Sequence, residues 1–142
     1  MKKTVAIRIS VIISLIAITA IMLTACGTKT FKINNITKIE LADGTTGNRI
    51  EITDPDTIQA LIQPFNENAF KKGVSAWNRA GWSYSLKFYQ YDKLTTAIVV
   101  HGQEGSRISF NDYFYDVING KINIETYKGL LPDAADIIDE EI

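Results

Sequence analysis

Cys26 is the one thiol and His101 the one imidazole in the 142-residue chain, so soft nucleophilic chemistry and neutral-pH proton transfer each have a single address. One Cys leaves no internal disulfide framework and no multi-Cys zinc site, and one His argues against a His-based metal centre. As a general base His101 needs a nucleophile or an orienting carboxylate, and its neighbours in sequence single out neither. It closes an apolar run just before Gly102 and reads as a turn-proximal side chain. Gly102-x-x-Gly105 is followed by no Lys-Ser/Thr and no helix start, so it reads as a hairpin turn and not a phosphate loop. Asp43, Asp54, Asp56, Asp112 and Asp116 do not form the spaced carboxylates of a calcium loop, and each stands where a turn or a helix cap uses one. The expectation is a chain with no cofactor, no metal and no catalytic constellation.

The aromatic residues carry more information. Six lie between Trp77 and Tyr91 and four between Phe110 and Tyr115. They cannot all be core, because a strand starting at Trp82 turns Trp82, Tyr84 and Phe88 to one face and Tyr89 and Tyr91 to the other. Exposed Trp, Tyr and Arg are the residue types that dominate binding hot spots. The candidate binding residues are therefore Trp77, Arg79, Tyr89, Tyr91, Tyr113 and Tyr115. The competing reading has Trp77 capping the core and Arg79 paired with a surface acid.

These side chains need elements to position them, and from Ile36 onward the period is mostly two. Thr37, Ile39 and Leu41, then Ile50 and Ile52, alternate with polar residues and predict a hairpin around Asp43–Asn48. Asp54 as cap, Pro55 at the first position and Ile58, Leu61, Ile62 and Phe65 at i, i+3, i+4 and i+7 predict a helix that Pro64 should end or bend. Residues 66–81 show no clean period and read as the longest irregular stretch. Trp82–Phe88 and Thr95–His101 form a second hairpin, followed by strands at Arg107–Phe110 and Tyr113–Ile118 and a brief helix over Thr126–Leu131. The fold class expected is α+β, an antiparallel sheet built from hairpins with one amphipathic helix packed on a face and a short C-terminal helix.

Composition divides the chain. The first 25 residues hold Lys2, Lys3 and Arg8, no acid and no aromatic residue, while the remaining 117 hold 12 Lys and Arg against 16 Asp and Glu, a net charge of −4. With the basic residues scattered, no footprint for nucleic acid is expected. Met1-Lys2-Lys3 followed by the uncharged run from Ile9 to Leu23 reads as an export signal, too short to span a bilayer. The expected organisation is a signal segment at 1–25, a lipidated N-terminus and tether at 26–35, a single domain at 36–132 and an acidic tail at 133–142.

Leu23-Thr24-Ala25-Cys26 resembles the bacterial lipobox at every place. The resemblance implies that the Cys26 thiol carries a diacylglyceryl group and that a lipoprotein signal peptidase recognises Leu23, Thr24 and Ala25 and cuts before Cys26. Two acyl chains hold a protein stably on a membrane where one holds it marginally. Together with Lys38-Ile39-Glu40-Leu41-Ala42-Asp43-Gly44, Thr53-Asp54-Pro55 and Ala80-Gly81-Trp82-Ser83-Tyr84, the chain resembles small lipoproteins of Gram-positive bacteria that carry a domain of unknown function. That implies a lipid-anchored module on the outer face of the cytoplasmic membrane and brings no catalytic residues. Three functional classes follow: a binding or protein-interaction module, an immunity or inhibitor lipoprotein facing a secreted toxin, and, with least support in the residues, an enzyme.

Overall fold

A computed structural model describes residues 27–77 and 81–131. The lipobox through Cys26, the segment 78–80 with Arg79, and residues 132–142 with the acidic tail lie outside them. The strands are β1 (Thr28–Lys29), β2 (Lys38–Asp43), β3 (Arg49–Ile52), β4 (Phe70–Ser75), β5 (Tyr84–Gln90), β6 (Lys93–His101), β7 (Arg107–Phe110) and β8 (Tyr113–Val117), with helices α1 (Pro55–Glu67) and α2 (Ile124–Leu130). The strands form one sheet in the order β1-β4-β8-β7-β6-β5-β2-β3, antiparallel at every pairing. The protein is α+β.

Side-chain alternation decides which face is covered. Ile39 and Leu41 of β2 stand opposite Phe88 and Leu86 of β5, which stand opposite Thr96 and Ile98 of β6, while Val100 meets Ile108 of β7. These apolar residues share one face and are buried there. α1 covers it with Ile58, Leu61, Ile62 and Phe65. The Phe65 ring meets Phe88 edge-on at 5.9 Å, and Tyr127 of α2 meets Tyr84 at 5.4 Å. Burying each large apolar side chain contributes about 1.5 to 3 kcal/mol, so this row is where the fold gains its stability.

Local chemistry explains α1. The Asp54 carboxylate accepts from the Thr57 N–H at 2.9 Å and its hydroxyl at 2.6 Å, and these bonds hold the Asp54 pKa below the ordinary carboxylate value. Pro64, expected to end or bend the helix, lies inside it, and the helix runs on to Glu67. Its missing N–H removes one bond near the end. Its carbonyl accepts from both the backbone and the side-chain amide of Asn68, at 3.3 and 2.8 Å, which closes the last turn.

Two expectations give way. The stretch read as irregular contains β4, which pairs with β8 on one side and β1 on the other. Only Phe70 of its six residues is buried, so the strand carries no alternation to read and is held by its ladder. The nine residues after Cys26, expected as a tether, belong largely to the fold. Thr28 and Lys29 pair with Lys71 and Phe70, and the Lys72 N–H donates to the Gly27 carbonyl at 3.1 Å. Phe31 and Ile33 are then 5% and 6% exposed as the chain crosses the covered face toward β2. The Asn66 side chain clamps this crossing, accepting from the Ile33 N–H and donating to the Ile33 carbonyl, both at 2.8 Å. Residues 27–33 therefore belong to the folded unit, which does not wait for Ile36.

Candidate binding surface at one end of the sheet

Antiparallel pairing brings three chain reversals together. Gln90 pairs with Lys93, Phe110 with Tyr113, and Tyr113 also with Ser75 at the end of β4. The β5–β6 turn, the β7–β8 turn and the exit of β4 thus share one end of the sheet, and β1, antiparallel to β4, receives the chain from that end. At this end stand Val74, Trp77, Tyr91, Leu94 and Tyr113, five of the seven large hydrophobic side chains exposed among the described residues. Trp82 and Ile118 are the other two, at the opposite end.

Of the candidate binding residues, Trp77 and Tyr91 are 74% and 76% exposed and Tyr113 is also exposed. Tyr115 is a correction. At 7% exposure it lies in the core, opposite Ile108 on the covered face, because two residues along a strand from Tyr113 is the same face but deeper beneath Phe31. Tyr89 is half-buried on the open face and donates to Glu40 at 3.3 Å, while Lys87 donates to the same carboxylate at 2.8 Å. The Lys87 bond holds the Glu40 pKa below the ordinary value against partial burial. Tyr89 is therefore committed within the sheet. Arg79 falls outside the described residues.

The sequence reading missed Val74, Leu94 and the lysines beside them. Lys29 lies over the Phe110 ring at 4.0 Å and the Phe31 ring at 4.9 Å, and Lys72 lies over Tyr113 at 3.4 Å. Such stacking holds a cation against an aromatic face while leaving its head reachable from solvent. Partial burial, with Lys72 nearby, lowers the Lys29 pKa. A cavity of about 400 Å³ opens beside them, lined by Lys29, Phe31, Lys32, Thr95, Thr96 and Phe110. Only the strand register brings these residues together, so no local sequence signal marks them.

Tyr91 occupies its turn at φ 55°, a left-handed conformation that a β-carbon disfavours. Asn and Gly suit that position, yet the chain places a large exposed ring there. Its N–H is held by the Thr37 hydroxyl at 2.6 Å. Tyr91→Asn should leave stability unchanged or raise it by up to about 1 kcal/mol, because Asn tolerates this backbone region. Thermal unfolding checks this, and a clear loss would show that the ring supports the fold.

A second arrangement lies at the other end of the open face. His101 Nδ1 sits 2.9 Å from the Gly81 carbonyl and Nε2 2.8 Å from Ser109 Oγ. A carbonyl only accepts, so Nδ1 carries the hydrogen and Nε2 accepts from the serine. Sequence reading left His101 without a nucleophile, and the register supplies one across the β6–β7 pair. Acyl transfer further needs donors aimed at a developing oxyanion. The adjacent cation, Arg107, gives its Nε–H to Asp116 at 2.7 Å, and the Phe114 ring closes against the imidazole at 5.0 Å. Two further acids are occupied: Asp43 accepts from Thr45 and Thr46 in its turn, and Asp54 caps α1. Among the described residues no group of three or more His, Cys, Asp or Glu could hold a metal ion, and no helix is long and apolar enough to cross a membrane. No family model matches the chain, and no curated protein or solved structure matches it.

Proposed function

We propose that the protein is a lipid-anchored, extracytoplasmic binding module that works at the membrane surface. The export signal and Leu23-Thr24-Ala25-Cys26 support the anchor, since a thiol in that setting is what thioether lipidation requires. One observation carries the reading of binding. The exposed aromatic and apolar side chains gather at the end of the sheet toward which the chain runs back from Lys29 through Thr28 to Gly27, the side on which the lipobox joins the domain in sequence. Exposed apolar and aromatic side chains gathered at one end in this way mark an interaction site.

Feeding an alkyne-tagged fatty acid to a Gram-positive host expressing the full chain tests the anchor. The wild-type protein should carry the label and sediment with membranes. Cys26→Ala should lose the label and appear in the medium or as a slower-migrating precursor. Unchanged label or unchanged membrane retention with unchanged mass would overturn the lipid anchor.

A further inference from the structure

We propose that the partner of this end of the sheet is the bilayer itself, and that the domain seats its turn end in the headgroup layer of an anionic membrane. This deepens the anchored-binding reading and rests on it for the position of Cys26.

Distance points to lipid. Gly27 already bonds to Lys72, and Cys26 is the residue before it. An extended chain advances about 3.3 to 3.6 Å per residue, so a lipidated Cys26 lies within roughly 10 Å of the β1 edge. Such a gap is about as deep as one headgroup layer, which is roughly 5 to 8 Å thick. Headgroups fill it without a new partner.

Composition agrees. Trp and Tyr concentrate at membrane interfaces, where an apolar ring body sits among acyl chains and its polar edge stays wet, and Trp77, Tyr91 and Tyr113 supply three such rings with Val74 and Leu94 beside them. Charge agrees as well, and it selects a side. Lys29, Lys32, Lys71 and Lys72 stand on or next to the β1–β4 edge, and no ion pair among the described residues includes any of them. Two acids lie beside that edge: Asp116 stands opposite Lys71 in the β4–β8 register with its carboxylate taken by the Arg107 Nε–H at 2.7 Å, and Asp112 lies in the β7–β8 turn, its backbone carbonyl accepting from the Ala76 N–H at 2.7 Å. Asp92, Asp54 and Asp56 lie toward the opposite edge, at the β5–β6 turn and the start of α1. The domain should therefore tilt, with the β1–β4 side and Trp77 lowest.

Trp82 provides an internal control, because it packs against Gly44 at the far end of the sheet. The full chain, reconstituted into vesicles whose acyl chains carry bromine, should show quenched Trp77 emission and unquenched Trp82 emission, read separately in Trp82→Phe and Trp77→Phe. Quenching should be stronger in phosphatidylglycerol mixed with phosphatidylcholine than in phosphatidylcholine alone. Lys71→Gln with Lys72→Gln should weaken the seated state about fivefold per lysine, the ratio that one basic residue near an anionic surface gives, and added salt should do the same. Chain that floats with the vesicles while neither tryptophan is quenched would overturn the seating and leave the anchor standing. Equal quenching of both would also overturn it, since no end would then be preferred. Chain that fails to float would remove the anchored reading and this proposal together. A dry Trp77 whose replacement by Ala releases a captured protein would assign the end to a protein partner instead.

Discussion

Phe31→Ala should lose about 3 to 5 kcal/mol of folding stability, the cost of deleting a large aromatic side chain from a packed core. Four rings surround Phe31, with Phe70 at 5.0 Å, Phe110 at 5.2 Å, Tyr115 at 6.2 Å and Phe65 at 6.5 Å between centroids, all edge-on. They come from β4, β7, β8 and α1, so one side chain ties four elements together. The cavity left by alanine cannot collapse, because each lining ring is fixed by its own strand or helix. Lys32→Ala next to it, exposed and unpaired, should change stability by less than about 0.5 kcal/mol. Urea denaturation of the pair is the measurement. If both substitutions fall within that small range, residues 28–33 are a tether after all and the domain does start at Ile36.

The contrast between those two positions shows what the sequence could reveal. Where burial alternates along a strand or recurs along a helix, pattern suffices: β2, β5, β6 and α1 follow from Ile39 and Leu41, Leu86 and Phe88, Ile98 and Val100, and Ile58 to Phe65. Where an element is held by hydrogen bonds at a sheet edge, pattern is silent. β4 reads Phe-Lys-Lys-Gly-Val-Ser, with a single buried side chain, and β1 is two residues long. Their evidence lies in the ladder, which is a property of two chain segments and is not written in either one.

The site divides the same way. Residue type alone marked Trp77, Tyr91 and Tyr113, because large rings in turn-rich sequence have nowhere to be buried. It mistook Tyr115, since a difference of two residues in depth under Phe31 has no local signature. It could not gather Lys29 with Lys72 or His101 with Ser109. Lys29 and Lys72 are 43 positions apart in sequence, and Ser109 reaches His101 only through the β6–β7 register. Pairing residues 28 and 29 with β4 also shortens the chain before the domain, so in the anchored state proposed above the fold would set the height of the surface over the membrane.

Gly105→Ala should cost at least about 3 kcal/mol, combining backbone strain with a clash against the main chain. Gly105 sits at φ 62°, and a β-carbon there would overlap the carbonyl oxygen of Ile122. That carbonyl cannot give way cheaply. The Ile122 N–H donates to the Gly105 carbonyl at 2.8 Å, and the Ile122 side chain is buried in the core. Two residues later α2 begins, with the Asn123 side chain accepting from the Glu125 N–H at 3.2 Å. Moving Ile122 therefore moves the helix start and unseats Tyr127 from Tyr84. Gly102 separates the two contributions, because it has φ 73° in the same turn and its added β-carbon meets nothing within 4 Å. Gly102→Ala should thus lose only the conformational part, about 1 to 2 kcal/mol. A glycine pair that reads as a plain hairpin turn then has two different reasons for its two members. Equal losses at both positions in urea denaturation would show that residues 105 and 122 are not in close main-chain contact, and the docking of α2 against the β6–β7 turn would have to be redrawn.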